Sequence, residues 1–250
     1  MGLANKLAGL FNGKLEFSAA FHPVDFKTRE RIPDENDVLA IMINAHAVDV
    51  VLDVGANLGQ FASGLRRAAY RNQIISFEPV TETHNGLLQT AAGDSKWTVA
   101  PRCAVGDVNN TTTINIAKKR AASSLLPMSD LTTHSSPNSA YVATEQVNVM
   151  TLDSCSLIDR SKCLFLKADT QGFEEHVLDG ATETLKSTIG LQLEVLTAPL
   201  YENQANFQKI HAKLTALGFE IWNILPVFSD GKNHRLLAAD VTFFRTKSNS

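Results

Sequence analysis

Four acidic side chains stand where strands of this sequence are predicted to end, and they are the residues best placed to do chemistry. Asp53 and Glu78 end the first two predicted strands, and Asp169 and Glu194 end two later ones. In open α/β sheets, ligands bind at the carboxyl ends of the strands, so we expect these four carboxylates to converge on one pocket. There a carboxylate can hold the hydroxyls of a ribose or take a proton from an acceptor.

The elements that must position these acids begin with the stretch from Val48 to Ala69. It predicts a buried strand, a glycine turn and a helix, because a β-branched apolar run precedes Gly55 and apolar residues recur at helical spacing after Gly59. Such a turn lets a ligand approach the backbone and leaves N–H groups facing it. The turn lacks the middle glycine of the G-x-G-x-x-G dinucleotide fingerprint. An ordinary βα turn is the alternative.

Glu78 follows one βα unit later, directly before Pro79. Its two carboxylate oxygens match the two vicinal hydroxyls of a ribose, and a surface acid beside a turn proline is the alternative. Ala104 and Val105 leave the third predicted strand, where they could line an apolar slot for an adenine base or be plain core.

Composition narrows the class of protein. The chain has 250 residues and a net charge of −3, with no basic stripe interleaved with aromatic residues, which makes nucleic acid an unexpected partner. Three cysteines without C-x-x-C spacing predict neither a disulfide framework nor a zinc site, and fit a reducing compartment. No segment is apolar enough to cross a bilayer, and the N-terminal stretch is too short for a signal peptide. We therefore expect a soluble, cytoplasmic protein.

The length fits one α/β domain at residues 38–250, preceded by an extension at residues 1–37 that packs on it. Pro33, Asp34 and Glu35 predict a helix start. Residues 118–140 are loop-like and carry groups that could reach an active site. Two closing strands are predicted at residues 219–225 and 238–245.

Several of these stretches agree with one family. Five stretches resemble the FkbM-type methyltransferases: the run from Val51 to Phe61, Phe77-Glu78-Pro79, Thr151-Leu152-Asp153, the run from Leu166 to Glu174, and a terminal pattern from Gly231 to Arg245. The resemblance spans residues 48–245. It implies a Rossmann-like class I methyltransferase fold: a mostly parallel seven-stranded sheet with one antiparallel strand near the C-terminus and helices on both faces.

The activity implied is methyl transfer from S-adenosylmethionine, usually to a hydroxyl of a sugar, glycan or secondary metabolite. Within it, the glycine turn and the second strand end would carry the cofactor, and the stretch from Lys167 to Glu174 would form the edge of the active site. The residues expected to bind the cofactor are Asp53, Gly55, Ala56, Asn57, Gly59, Gln60, Phe61, Glu78, Pro79, Ala104, Val105 and Asp169.

Asp169 is the first candidate for the catalytic base, although it could instead bind the acceptor or the cofactor amine. Glu194 is the second. Together they could hold Mg²⁺, but a metal-free site is favoured since no third ligand stands out. His134 and His234 are further candidates for the base. The residues expected to contact the acceptor are Ser123, Ser124, His134 and Gln171.

Two other classes of protein remain open at this point. A nicotinamide-dependent oxidoreductase would share the strand–glycine–helix unit and Glu78, but should show a three-glycine fingerprint and a hydride-transfer site. A non-catalytic nucleoside-binding module would keep the sheet and lack polar groups at the strand ends.

Overall fold

The computed structural model describes residues 33–246, so the predicted extension lies outside the described residues except for 33–37. The helices are α1 (Glu35–Ala45), α2 (Gln60–Arg67), α3 (Thr81–Ala91), α4 (Asp130–Ser135), α5 (Glu174–Asp179) and α6 (Phe207–Ala216). The strands are β1 (Val50–Val54), β2 (Gln73–Phe77), β3 (Trp97–Val99), β4 (Ala104–Val105), β5 (Asn110–Ala117), β6 (Tyr141–Met150), β7 (Leu164–Ala168), β8 (Thr188–Leu196), β9 (Phe219–Ser229) and β10 (Leu236–Arg245).

Seven of these strands form the main sheet, in the order β3-β2-β1-β7-β8-β10-β9. The pairs from β3 to β8 are parallel, whereas β10 runs antiparallel to both of its neighbours. The predicted fold class is therefore confirmed. In this order the ends of β1, β2, β7 and β8 lie on one edge, which brings the four predicted acids to the same side of the sheet.

The two faces of the sheet differ in chemistry. Leu52, Leu166 and Leu193 belong to an apolar cluster on one face. On the other face, Asp53 stands beside Lys167, and Lys167 stands beside Gln192 in the strand register. This polar row runs across neighbouring strands, and the rest of the second face is apolar.

A second sheet, β4-β6-β5, was not predicted as a separate layer. Its buried side chains pack with Val80 at the start of α3, so it covers the exit of β2. The stretch from Trp97 to Val105, predicted to be the third strand and its exit, is divided between the two sheets, with β3 in one and β4 in the other. Residues 118–140, predicted to be loop-like, contain α4.

Helix α1 begins where the sequence predicts. Asp34 accepts hydrogen bonds from the backbone N–H groups of Asn36 (2.9 Å) and Asp37 (3.0 Å), and the Asp37 carboxylate accepts one from Asp34 N (2.9 Å). This capping box satisfies the free N–H groups of the first turn. Across residues 33–246, no helix combines the length and the apolar character that a membrane span requires.

Candidate active site

The glycine turn after β1 is held against the end of β2. Gly55 and Ala56 donate backbone hydrogen bonds to the Phe77 carbonyl (3.1 and 3.0 Å). Gly55 has φ +73° and Asn57 has φ +50°, so the loop turns through left-handed conformations. A Cβ on Gly55 would meet the backbone of Asp169, which explains the need for glycine.

Glu78 anchors this loop. Its Oε2 accepts from Asn57 N (2.8 Å), and its Oε1 accepts from Val80 N (2.9 Å) and Thr83 Oγ1 (2.7 Å). Burial raises the pKa of Glu78, and these hydrogen bonds oppose the rise. Since a carboxylate has about four acceptor positions, the open one belongs to Oε2. One oxygen of Glu78, rather than both, therefore has room to accept a hydrogen bond from a ribose hydroxyl.

Three cavities open along this edge. The first lies between Glu78 and the second sheet, and Ser123, Ser124 and Gln171 also line it. Its apolar wall consists of Phe77, Pro79, Ala104, Val105, Ile114, Leu125 and Phe173.

The second cavity lies on the α1 side and is lined by Ala56, Gln60 and Phe61. The third is lined by Glu194 together with Tyr201 and an apolar wall from β8 to β10. Asp169 lines all three cavities, which makes it their common point.

Lys167, which begins the stretch expected to form the edge of the active site but was given no role of its own, is a functional candidate. Its Nζ donates to the Gly55 carbonyl (3.0 Å) and lies 3.4 Å from Asp53 Oδ1 and 3.9 Å from Asp169 Oδ2. Burial alone would lower the pKa of Lys167, but the carboxylates of Asp53, Asp169 and Asp240 raise it. The ammonium ties the glycine turn to the end of β7. A lone cation inside an otherwise apolar strand was the available signal.

Carboxyl groups crowd the ends of β7, β8 and β10. Burial raises the pKa of Glu194 well above its usual range, and the charges of Asp169, Glu174 and Asp240 raise it further. Burial and the charge of Asp169 likewise raise the pKa of Asp240 to about 7. Within residues 33–246, the ion pair that reaches this cluster is the one between Lys167 Nζ and Asp169 Oδ2, at 3.9 Å. The cluster therefore favours a cationic ligand or a proton held between its members.

The turn after β7 depends on Glu174. Its Oε1 accepts from Thr170 N (2.7 Å), Thr170 Oγ1 (3.1 Å) and Gly172 N (3.3 Å). Glu174 therefore supports the turn at Gln171 and Gly172. Burial raises its pKa to about 7.

Several predicted site residues lie away from the cavities. Asp53 is fully buried beneath the loop, where it contacts Ser76 and Lys167 rather than a cavity, because strand β1 continues past it. A Cβ on Gly59 would meet Trp97, so this glycine serves packing at the start of α2. His134 is exposed on α4, where Nδ1 contacts the Asp130 carbonyl. None of these three residues lines one of the three cavities.

His234, the other histidine considered as a base, lies exposed in the loop between β9 and β10. Ser124 lines the first cavity, but its hydroxyl already donates to the Gln171 carbonyl (2.8 Å) and accepts from Leu126 N (3.0 Å). Ser123 Oγ accepts from Ala117 N (3.0 Å). The two serines thus brace the loop that closes the cavity.

The site has features that suit a sulfonium nucleoside. Asn57 Oδ1 is buried without a hydrogen-bond partner, and Glu78 Oε2 has an open acceptor position. Asn57 lines both the first and the second cavity, so its free acceptor lies where a donor from a ligand can reach. A nucleoside with an amino acid tail supplies such donors through its ribose hydroxyls and ammonium. Within residues 33–246, no group of three acidic, histidine or cysteine side chains could hold a metal ion.

Comparison with known proteins identifies the family. The family model described as Methyltransferase FkbM domain matches residues 53–221, which is more than half of the chain. This chain belongs to the FkbM methyltransferase family. The family uses S-adenosylmethionine, so the FkbM match selects methyl transfer over the nicotinamide chemistry that the strand–glycine–helix unit left open.

Among solved structures, this FkbM domain is similar to magnesium protoporphyrin IX methyltransferase from Synechocystis, solved with bound S-adenosylmethionine (11% identity, 84% of this chain and 78% of that chain, TM-score 0.46). It is also similar to precorrin-6y C5,15-methyltransferase from Geobacter metallireducens (10% identity, 90% and 93%, TM-score 0.47). No curated protein matches the chain. The assignment therefore depends on the family match.

Proposed function

We propose that this protein is an O-methyltransferase that moves the methyl group of S-adenosylmethionine to a hydroxyl of a sugar, a glycan or a small secondary metabolite. The observation that carries the proposal is the position of Asp169, which lines all three cavities at the edge of the sheet. A single carboxylate at that junction can face both a cofactor and an acceptor.

The cofactor would span the first two cavities. Its adenosine would occupy the first, with the base against Ala104 and Val105 and the ribose at Glu78. Its amino acid tail would lie in the second, beside Ala56 and Gln60. The apolar wall of the first cavity supports this orientation, since an adenine ring gains most from contact with apolar side chains.

The acceptor would enter through the third cavity, where Glu194 and Tyr201 lie. Bound S-adenosylmethionine supplies a methyl carbon already activated by the positive sulfur. Asp169 would take the proton of the acceptor hydroxyl while the acceptor oxygen bonds to the methyl carbon and the carbon–sulfur bond breaks, which would leave S-adenosylhomocysteine as the other product. The enzyme's main contribution would be alignment of acceptor oxygen, methyl carbon and sulfur.

Glu194 would assist by sharing a proton with Asp169. Two neighbouring carboxyl groups do not both ionise easily, and a proton held between them favours a base that functions near neutral pH. The raised pKa of Glu194 supports this role. The alternative use of the pair as a Mg²⁺ site lacks a third ligand among the described residues.

A small hydroxylated acceptor in the cytoplasm, rather than nucleic acid, completes the proposal. The cavity walls combine apolar and hydroxyl-bearing side chains, and the chain carries a net charge of −3. A polyanionic acceptor would meet repulsion at the acid cluster.

A screen with methyl-labelled S-adenosylmethionine tests the function. Hydroxylated metabolites and glycans would be incubated with wild-type protein and with Asp169→Asn. Label transfer to a hydroxyl oxygen that is lost in the variant would support the proposal. Label found on carbon or nitrogen of the preferred acceptor would contradict O-methylation.

A further inference from the structure

We propose that Gln171 and Tyr201 form a clamp that positions Asp169 and Glu194, so that Gln171 is a positioning residue rather than a contact for the acceptor. The catalytic use of the two carboxylates rests on the proposed function, but the clamp itself rests on the geometry alone.

The side-chain amide of Gln171 lies between the two carboxylates. Its Nε2 donates to Asp169 Oδ1 (2.8 Å) and to Glu194 Oε2 (2.5 Å). Its Oε1 accepts from the Tyr201 hydroxyl (2.8 Å). Both amide protons are therefore used within the protein, which leaves the amide nitrogen no proton for an acceptor molecule. The sequence-based expectation that Gln171 binds the acceptor is replaced by this role.

The observed orientation of the amide uses all of its hydrogen-bonding groups within the protein. The reversed orientation would place the amide oxygen at hydrogen-bond distance from Asp169 and Glu194 and would remove the two N–H donors that these acids receive. Burial raises the pKa of Tyr201, so its hydroxyl keeps the proton that it donates to Gln171. The tyrosine, which is 3% exposed, thus fixes which end of the amide faces the acids.

The backbone also holds Gln171 in place. This residue has φ +56°, a conformation that side-chain-bearing residues rarely adopt, and the Ser124 hydroxyl donates to its carbonyl (2.8 Å). Gly172 follows with φ +94°, packed against the Tyr201 ring. The turn therefore contacts Tyr201 at two neighbouring residues, through the Gln171 amide and through Gly172.

The clamp has a consequence for charge. Each N–H donor stabilises the ionised form of the carboxylate that it contacts, and so opposes the burial that favours the neutral form. The other charged groups that face Glu194 are Asp169, Glu174 and Asp240, while Lys167 contacts Asp169 from the glycine-turn side. Gln171 donates to both Asp169 and Glu194 and carries no charge itself. It therefore bridges the two acids while they stay close to each other.

The test is a titration of side-chain carboxyl carbons by ¹³C NMR on cofactor-free protein, with the Glu194 signal assigned by Glu194→Gln. Gln171→Leu keeps most of the side-chain volume and removes both donors, so the pKa of Glu194 should rise by about 1 or more. Tyr201→Phe removes the hydroxyl that orients the amide, and the pKa should rise by a smaller amount in the same direction.

Gln204→Leu is the matched control. Gln204 accepts from Tyr201 N (2.7 Å) and donates to the Ala198 carbonyl (2.9 Å), so it supports the same segment without contacting the acids. This variant should leave the Glu194 titration unchanged. If Gln171→Leu does not fold, Tyr201→Phe decides the question by itself.

An unchanged Glu194 titration in the folded clamp variants would overturn the proposal, as would an equal change in Gln204→Leu. The measurement needs neither cofactor nor acceptor. A wild-type protein that binds no S-adenosylmethionine would therefore count against the proposed function, while the titration would still decide the clamp.

Discussion

The α-carbon of Gly55 packs so closely against Asp169 that a Cβ atom at residue 55 would lie 1.9 Å from the Asp169 backbone oxygen. The loop expected to hold the cofactor and the turn that carries the candidate base are thus in direct contact. A displacement of one must move the other.

Gly55→Ala should therefore lower the free energy of unfolding by about 2–5 kcal/mol, because it adds an overpacking cost to the strain of a left-handed alanine. Gly93→Ala is the matched control, since Gly93 has φ +88° with nothing within 4 Å of its virtual Cβ. Gly93→Ala should lower the free energy of unfolding by only about 1–2 kcal/mol, because it adds the strain of a left-handed alanine without a steric clash. Urea unfolding of both variants measures the difference, and equal losses would refute the proposed contact.

Lys167→Met should destabilise the protein by about 3–5 kcal/mol, because it leaves the fully buried Asp53 without its cation. The double variant Lys167→Met with Asp53→Asn should recover part of this loss, since no buried charge then remains at residue 53. Chemical unfolding of the two single variants and the double variant gives the coupling energy. Strictly additive losses would show that the two residues do not stabilise each other.

Glu174 should make stability depend on pH between about 4.5 and 7. Its pKa in the folded protein is raised from 4.5 to about 7, so the folded state binds more protons than the unfolded state in this window. Stability should be highest below the window and fall as pH rises through it. Glu174→Gln should flatten this slope in unfolding experiments at several pH values. Asp240→Asn should also flatten the slope, because burial and the charge of Asp169 raise the pKa of Asp240 to about 7 in the folded protein.

Asp169→Asn should lower turnover by about 10²–10⁴-fold once an acceptor is known, the usual contribution of a general base. Binding of S-adenosylmethionine should change far less, because the substitution keeps the shape of the side chain. Steady-state kinetics and calorimetry on the same preparation separate the two effects. Turnover equal to that of the wild type would remove Asp169 from the mechanism.

The sequence predicted what depends on local pattern. The apolar run of β1, the glycine turn after it and the acid at the end of β2 are each signalled within a few residues, and the strand order brings their ends together. The capping box at Asp34 is equally local. These features need no knowledge of distant contacts.

What the sequence could not supply comes from long-range contacts. Tyr201 reaches Gln171 from 30 residues away, through a segment after β8 that has no recognisable motif. The short strand β4 leaves the main sheet because β6, more than 30 residues later, provides its partner. His134 was a reasonable candidate by residue type, but the short helix α4 holds it on an exposed face.

The most direct test of the central claim is calorimetric titration of S-adenosylmethionine into the wild type, Glu78→Ala and, as a control, Glu183→Gln, whose side chain is exposed and lines none of the three cavities. Loss of the Glu78 carboxylate should weaken binding by about 1.5–3 kcal/mol, the usual contribution of a charge-assisted hydrogen bond. Glu183→Gln should bind like the wild type. Wild-type affinity in Glu78→Ala, or no binding by any of the three proteins, would contradict the account.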